Sequence, residues 1–178
     1  MKSILVVTHR RGFEADPVVD MLRKRGISVF RFNCDAGEDA SHASFVSERD
    51  ETEFVCDGRR IKGGDITVGW CQQLPPYIGQ AANERECLQR ENLLALQRAI
   101  FNHLPIPWLN KPCHVVHASN KINQLITAKT VGLPVLKTLV SNDPRAVREF
   151  AQDCVVVAKN LDTPWVVSRG RTRAAYTR

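Results

Sequence analysis

The feature that most constrains this chain is its opening order of strand, helix and strand signals. Ile4 to Thr8 is a short apolar run rich in β-branched residues, and Ile27 to Phe32 is a second. Between them Asp16 can cap a helix whose first turn accepts Pro17, since proline has no amide hydrogen to lose there. Val18, Met21, Leu22 and Arg25 then share one helical face, and Gly26 closes the helix. Neighbouring strands joined through a helix run parallel, so the chain is expected to open with a β-α-β unit and to belong to the α/β class.

At 178 residues there is room for one domain, or for one plus a smaller second one. Hydrophobic residues make up 43% and charged residues 25%, the balance of a folded globular chain. No apolar run approaches the roughly 20 residues of a membrane span, and the opening residues suit a buried strand better than a secretory signal. A cytoplasmic protein without a membrane partner is expected. Six cysteines at 34, 56, 71, 87, 113 and 154 form no Cys-x-x-Cys pair, so reduced, mostly buried thiols are expected rather than a disulfide scaffold or zinc ribbon. The net charge of +6 is largely local: Arg169, Arg171, Arg173 and Arg178 supply +4 with no acid beside them. A nucleic-acid partner is not expected, because the body of the chain lacks a basic stripe interleaved with aromatics.

Along the chain, one short strand is expected around Ala43 to Val46. Glu53 to Cys56 and Arg59 to Lys62 flank Asp57-Gly58, the dipeptide of a two-residue type I′ hairpin turn. Ile66 to Trp70 reads as a strand and Gln72 to Gly79, with Pro75-Pro76, as a loop. From Asn83 to Asn102 the apolar spacing of Cys87, Leu94 and Phe101, with Leu93, Leu96 and Ile100 beside them, predicts a helix packing one face on the sheet. Trp108-Leu109-Asn110 reads as a strand tip entering a loop at Lys111-Pro112. Beyond it Ser119 can cap a helix carrying Ile122, Leu125 and Ile126 that ends near Gly132, with an extended Val135 to Val140 following. Asp143-Pro144 starts another helix, Val155 to Lys159 reads as an apolar strand, and Trp165 to Ser168 with Thr172 to Tyr176 as a hairpin.

Two lysines stand in suggestive contexts. Lys121 lies just inside a helix after Asn120, and Lys159 ends an apolar run, where its ammonium would emerge beyond a sheet to meet a phosphate. An ordinary solvated lysine and a snorkelling one fit the same positions. Trp108-Leu109-Asn110, Ala118-Ser119-Asn120-Lys121, Gln124-Leu125, Gly132-Leu133-Pro134-Val135, Thr138, Ser141-Asn142-Asp143-Pro144 and Val156-Val157-Ala158-Lys159 together resemble the start of the ATP-grasp fold. The likeness is closest to the ligases that mature ribosomal peptides of the microviridin and graspetide type. Ile4-Leu5-Val6-Val7-Thr8, Phe30-Arg31-Phe32-Asn33 and the Trp70 region are similar to that family's pre-ATP-grasp domain.

The resemblance implies a pre-ATP-grasp β-α-β domain over 1–112 and, over 113–178, a partial N-terminal lobe, the first α+β lobe of an ATP-grasp domain. It implies ATP and Mg2+ as cofactors, Lys121 and Lys159 as contacts to the nucleotide phosphates, and a precursor peptide with leader and core as partner. The reaction implied is activation of a side-chain carboxylate as an acyl phosphate, which an amine or hydroxyl of the same peptide attacks to close a macrocycle. Asn160-Leu161-Asp162-Thr163-Pro164 lacks the multi-glycine loop of many ATP-grasp enzymes, and the magnesium ligands are expected downstream of Arg178, so an incomplete form of the ligase is expected. No catalytic residue is assigned. The alternative is a non-catalytic module that binds a peptide or partner and covers its uncompleted lobe by forming a homodimer.

Three weaker groupings remain. Cys113, His114 and His117 could hold a metal but have no second cluster, so no metal site is assigned. His9, Arg10 and Arg11 follow the first strand, where α/β sheets bind ligands, and could hold an acidic peptide or form a solvated loop. Gly63-Gly64 is no dinucleotide fingerprint, and nothing sets His103 or His117 beside a particular cysteine.

Overall fold

The computed structural model describes residues 2–35, 40–74, 83–152, 155–159 and 161, together with the backbone of strands 165–168 and 171–174. The chain divides into two compact units, Met1–Val115 and Val116–Arg178.

In the first unit β1 (Ser3–Thr8), β2 (Val29–Asn33), β6 (Ile66–Cys71) and β7 (Trp108–Leu109) form a sheet in the order β2-β1-β6-β7, and every pairing in it is parallel. The α1 helix (Asp16–Lys24) makes the first crossover, so the opening unit is the expected β-α-β. Leu5, Val6, Val7 and Thr8 of the inner strand β1 are all fully buried, because a parallel strand with both faces covered has no solvent side. Alternation still sorts the two faces. Val6, with Ile4, packs against Ala15, Val19 and Leu22 on the α1 side. Leu5 and Val7 join the larger core of Phe30, Phe32, Phe54, Ile61, Ile100 and Phe101.

That larger core is roofed by a second sheet in which β3 (Ser41–Val46), β4 (Glu51–Cys56) and β5 (Arg59–Lys62) are antiparallel. The β4–β5 turn has φ of +48° at Asp57 and +74° at Gly58, the two positive values a type I′ turn demands and the reason glycine follows aspartate there. In the α2 helix (Glu84–His103) Phe101 stacks on Phe54 at 5.9 Å and meets the edges of Phe32 at 5.8 Å and Trp108 at 6.1 Å.

Several local expectations are corrected. Asp16 is the first residue of α1 rather than its cap, because a 3-10 turn at Phe13–Ala15 leads into the helix. That turn sets the helical phase, so Ala15 and Val19 are buried while Met21 is 45% exposed. Only the last turns of α2 bury side chains: Gln97, Ile100 and Phe101 are inside, whereas Cys87 and Leu88 are exposed. Three of the described thiols, Cys34, Cys56 and Cys71, are buried, but Cys87 and Cys113 are exposed, and all five are free. Lys111-Pro112 is not simply a loop, since α3 (Pro112–Ser119) begins at the proline.

In the second unit α4 (Lys121–Thr130) is capped by Asn120, whose Oδ1 accepts from the amides of Ile122 at 2.9 Å and Asn123 at 3.2 Å. Ser119 is not the cap, because its hydroxyl donates to Val116 O within the preceding helix. Asp143 caps α5 (Pro144–Phe150) through Arg145 N at 2.8 Å, as its position before a proline suggested. Strands β8 (Trp165–Ser168) and β9 (Arg171–Ala174) form the expected hairpin in the register Trp165↔Ala174 to Ser168↔Arg171. Val155 to Lys159 is not a buried strand: it has no ladder partner among the described residues, and Val155 is fully exposed. Four apolar residues in a row become a strand only when a neighbour accepts their backbone hydrogen bonds.

Candidate functional site

Two places carry the candidate residues, one in each unit. In the first, the order β2-β1-β6-β7 reverses direction between β1 and β6, and the carboxyl ends of strands at such a switch point are where α/β sheets bind ligands. Thr8, at the end of β1, donates from Oγ1 to Gln72 Oε1 at 2.8 Å, so the strand ends are tied by side chains as well as backbone. One residue further on, His9 Nε2 lies 3.4 Å from Gln73 Oε1. Arg31 shapes the loop between them and α1: its Nη2 donates to His9 O at 3.0 Å and to Gly12 O at 3.3 Å, its Nε to Asn33 Oδ1 at 2.9 Å, and its Nη1 pairs with Asp16. Gly12 fits because a Cβ there would fall 2.1 Å from Thr8 Oγ1.

His9, Arg10 and Arg11 therefore lie on a built loop rather than a loose one. Arg10 is nonetheless partly committed to acids of this unit, its amide donating to Asp35 Oδ1 at 2.7 Å and its guanidinium standing 4.0 Å from Asp57. Sequence reading missed Thr8, Arg31, Gln72 and Gln73. The available signal was positional for three of them, since Thr8 ends β1 and Gln72 and Gln73 follow β6, whereas Arg31 sits in the middle of β2.

Cys34 follows β2 in the same region, yet it is no nucleophile. Burial, reinforced by Asp35, pushes its thiol up to about 12, and the thiol donates to Thr8 O. Cys71 is likewise raised by burial to about 11. Among the described residues no group of three or more His, Cys, Asp or Glu is placed to hold a metal, and Cys113, His114 and His117 are simply residues of α3.

In the second unit Lys121 is the first residue of α4, directly after its cap, and Lys159 closes the exposed segment after α5. Both are exposed, and neither has an ion-pair partner among the described residues. Their donor chemistry suits a polyphosphate: each offers an ammonium with no carboxylate partner among the described residues, and the Lys121 charge stands in the first turn of a helix, whose dipole favours an anion.

No family model matches the sequence, and no curated protein matches it either. Solved structures do. The macrocyclase MdnC from Microcystis aeruginosa MRC, bound with precursor peptide MdnA, matches with a TM-score of 0.82 at 22% identity, over 99% of this chain and 60% of that one. The macrocyclase MdnB from the same organism gives 0.72 at 23% identity, over 92% and 58%. The RiPP-associated ATP-grasp ligase of Chryseobacterium gregarium, in complex with ADP and a leader and core peptide, gives 0.77 at 21% identity, over 100% and 56%.

The fold is that of the RiPP ATP-grasp ligases. The α/β architecture expected from sequence is therefore the observed one. The chain spans 56–60% of the length of these three ligases.

Proposed function

We propose that this chain belongs to an ATP-dependent ligase that joins a side-chain carboxylate to an amine or hydroxyl within a ribosomally made precursor peptide. The observation that carries the reading is the fold shared with ligases, two of which are described in complex with their peptides. ATP supplies the phosphoryl group that activates the carboxylate. The amine or hydroxyl then attacks the activated carbonyl, inorganic phosphate leaves, and the nucleophile's proton passes to solvent, so each ring removes one water from the peptide.

In this reading the residues of the chain act by charge. Lys121 and Lys159 hold their ammonium groups against the nucleotide phosphates and offset the negative charge gathering on the transferred oxygens. Because neither is neutralised by a described carboxylate, neither must break an ion pair first. The described residues offer no set for Mg2+, and no step is assigned through it. The leader and core would lie across the first unit, with His9 and Arg11 near the carboxyl edge available to acidic residues. No described helix is long and apolar enough to cross a membrane, and a reaction that consumes ATP fits the cytoplasm.

The test is mass spectrometry of a precursor peptide encoded beside the gene, incubated with the protein and Mg-ATP. The reading expects losses of one water per ring that depend on ATP and are abolished in Lys121→Ala and Lys159→Ala. An unmodified peptide, with ATP present and the protein folded, would contradict it.

A further inference from the structure

Arg31 is a strand residue whose guanidinium is committed to a turn. Its neighbours Phe30 and Phe32 enter the larger core, so the alternation of β2 puts Arg31 on the opposite face, the one α1 covers. In the parallel register Arg31 stands beside Val6 of β1. From there Nη2 reaches past the end of β1 to His9 O and Gly12 O, and Nη1 meets Asp16 at the start of α1. Each of the two carbonyls already accepts an amide, His9 O from Gly12 N at 2.9 Å and Gly12 O from Ala15 N at 3.1 Å. A single nitrogen therefore clamps two successive turns. Asp35 holds the other side of the first turn by accepting from the Arg10 amide.

These commitments decide which of the three guanidinium groups at this edge is left for a ligand. The Arg31 side chain is only 20% exposed, and its Nε is held by Asn33 as its Nη1 and Nη2 are held elsewhere. An incoming carboxylate would have to displace Asp16 and both carbonyls to reach it. Arg10 stands against Asp57. Arg11 lies in the same turn, is exposed and has no ion-pair partner among the described residues. The turn that carries it is packed against the end of β1, where buried Gly12 leaves no room for a Cβ beside Thr8 Oγ1. A residue on so fixed a backbone gives up less freedom when it binds.

We infer that Arg31 is a positioning residue for recognition of an acidic side chain of the precursor peptide. It does not touch the peptide; it holds the 9–12 turn in the shape that presents Arg11 to that carboxylate. The inference rests on the ligase reading for the identity of the peptide. Lysine at 31 does not replace arginine, because one ammonium can meet Asp16 but lacks the planar fork that reaches Asn33 and the two carbonyls as well. Without the fork the turn keeps its own amide bonds but is no longer clamped, and the Arg11 contact must order it on binding.

Fluorescence anisotropy of a labelled precursor peptide encoded beside the gene tests it, with circular dichroism as the check on folding. Arg31→Gln, Arg31→Lys and Arg11→Gln each weaken peptide binding about tenfold, while Mg-ATP affinity stays within about twofold of the wild type. Arg31→Lys combined with Arg11→Gln binds no more weakly than either single variant, because Arg31 acts only through Arg11. Hydrogen exchange at the Gly12 amide quickens in Arg31→Gln and Arg31→Lys and is unchanged in Arg11→Gln. Arg31→Lys keeps the charge beside Asp16 and carries the comparison where Arg31→Gln does not fold. Losses that multiply in the combined variant overturn the inference, as does a folded Arg31→Lys that binds like the wild type. In both cases a wild type that still ligates the peptide leaves the ligase reading standing. A wild type that neither binds nor modifies the peptide overturns both.

Discussion

Replacing Phe101 by alanine tests how α2 is held, because the helix is buried at one end and exposed at the other. Phe101 is fully buried and in ring contact with Phe32, Phe54 and Trp108. Removing a buried phenylalanine costs about 3–5 kcal/mol through lost transfer energy and the cavity left behind. Three aromatic neighbours, each worth about 0.5–1.5 kcal/mol beyond burial, place this one toward the upper end. Phe101→Leu keeps most of the volume and loses the ring pairs, so it should cost about 1.5–3 kcal/mol. Leu88→Ala, three turns earlier on the same helix at a residue 60% exposed, should cost less than about 0.5 kcal/mol. Urea denaturation followed by tryptophan fluorescence gives all three from the shift in midpoint at unchanged slope. A loss in Leu88→Ala equal to that in Phe101→Leu would refute the half-buried helix and restore the evenly packed face expected from spacing.

Asn120→Ala removes the acceptor of two amide bonds at the start of α4 and should cost about 1 kcal/mol, read as lost helicity and an earlier melt, whereas Ser119→Ala should change little. Gly12→Ala drives a methyl group into Thr8 Oγ1 and should cost about 1–3 kcal/mol; Gly64→Ala meets nothing within 4 Å and should be neutral or slightly stabilising in the same melts. The Cys34 thiol is raised from 9.0 to about 12, so the unfolded chain loses this proton at lower pH than the folded one. Stability is therefore full below pH 9 and falls as pH rises toward 12, by up to about 1.4 kcal/mol per pH unit, and Cys34→Ala should flatten that fall in urea midpoints measured from pH 8 to 10.

What could be read from sequence was what local chemistry decides by itself. Asp57-Gly58 announced its turn because few other pairs tolerate two positive φ values, and Asp143-Pro144 announced a helix start because the aspartate caps the Arg145 amide and proline fits the first helical position. The phase of a helix was harder. Val18 and Met21 fit a face as well as Ala15 and Val19 do, and only the 3-10 turn before Asp16 decides between them. Asn120 displaced Ser119 as cap because the latter is the last residue of α3, a helix that its sequence pattern did not reveal. At the carboxyl edge Gln72 and Gln73 carry no signal in themselves, and their meaning depends on β6 lying beside β1, a pairing between residues more than sixty positions apart.

The central claim is that the chain is part of an ATP-using ligase, and calorimetric titration with Mg-ATP tests it most directly. The account predicts saturable binding to the wild type that weakens about 10- to 100-fold in Lys121→Ala and in Lys159→Ala, the loss of one charge-assisted phosphate contact each. Folded protein that gives no binding heat, or binding indifferent to both substitutions, would contradict it.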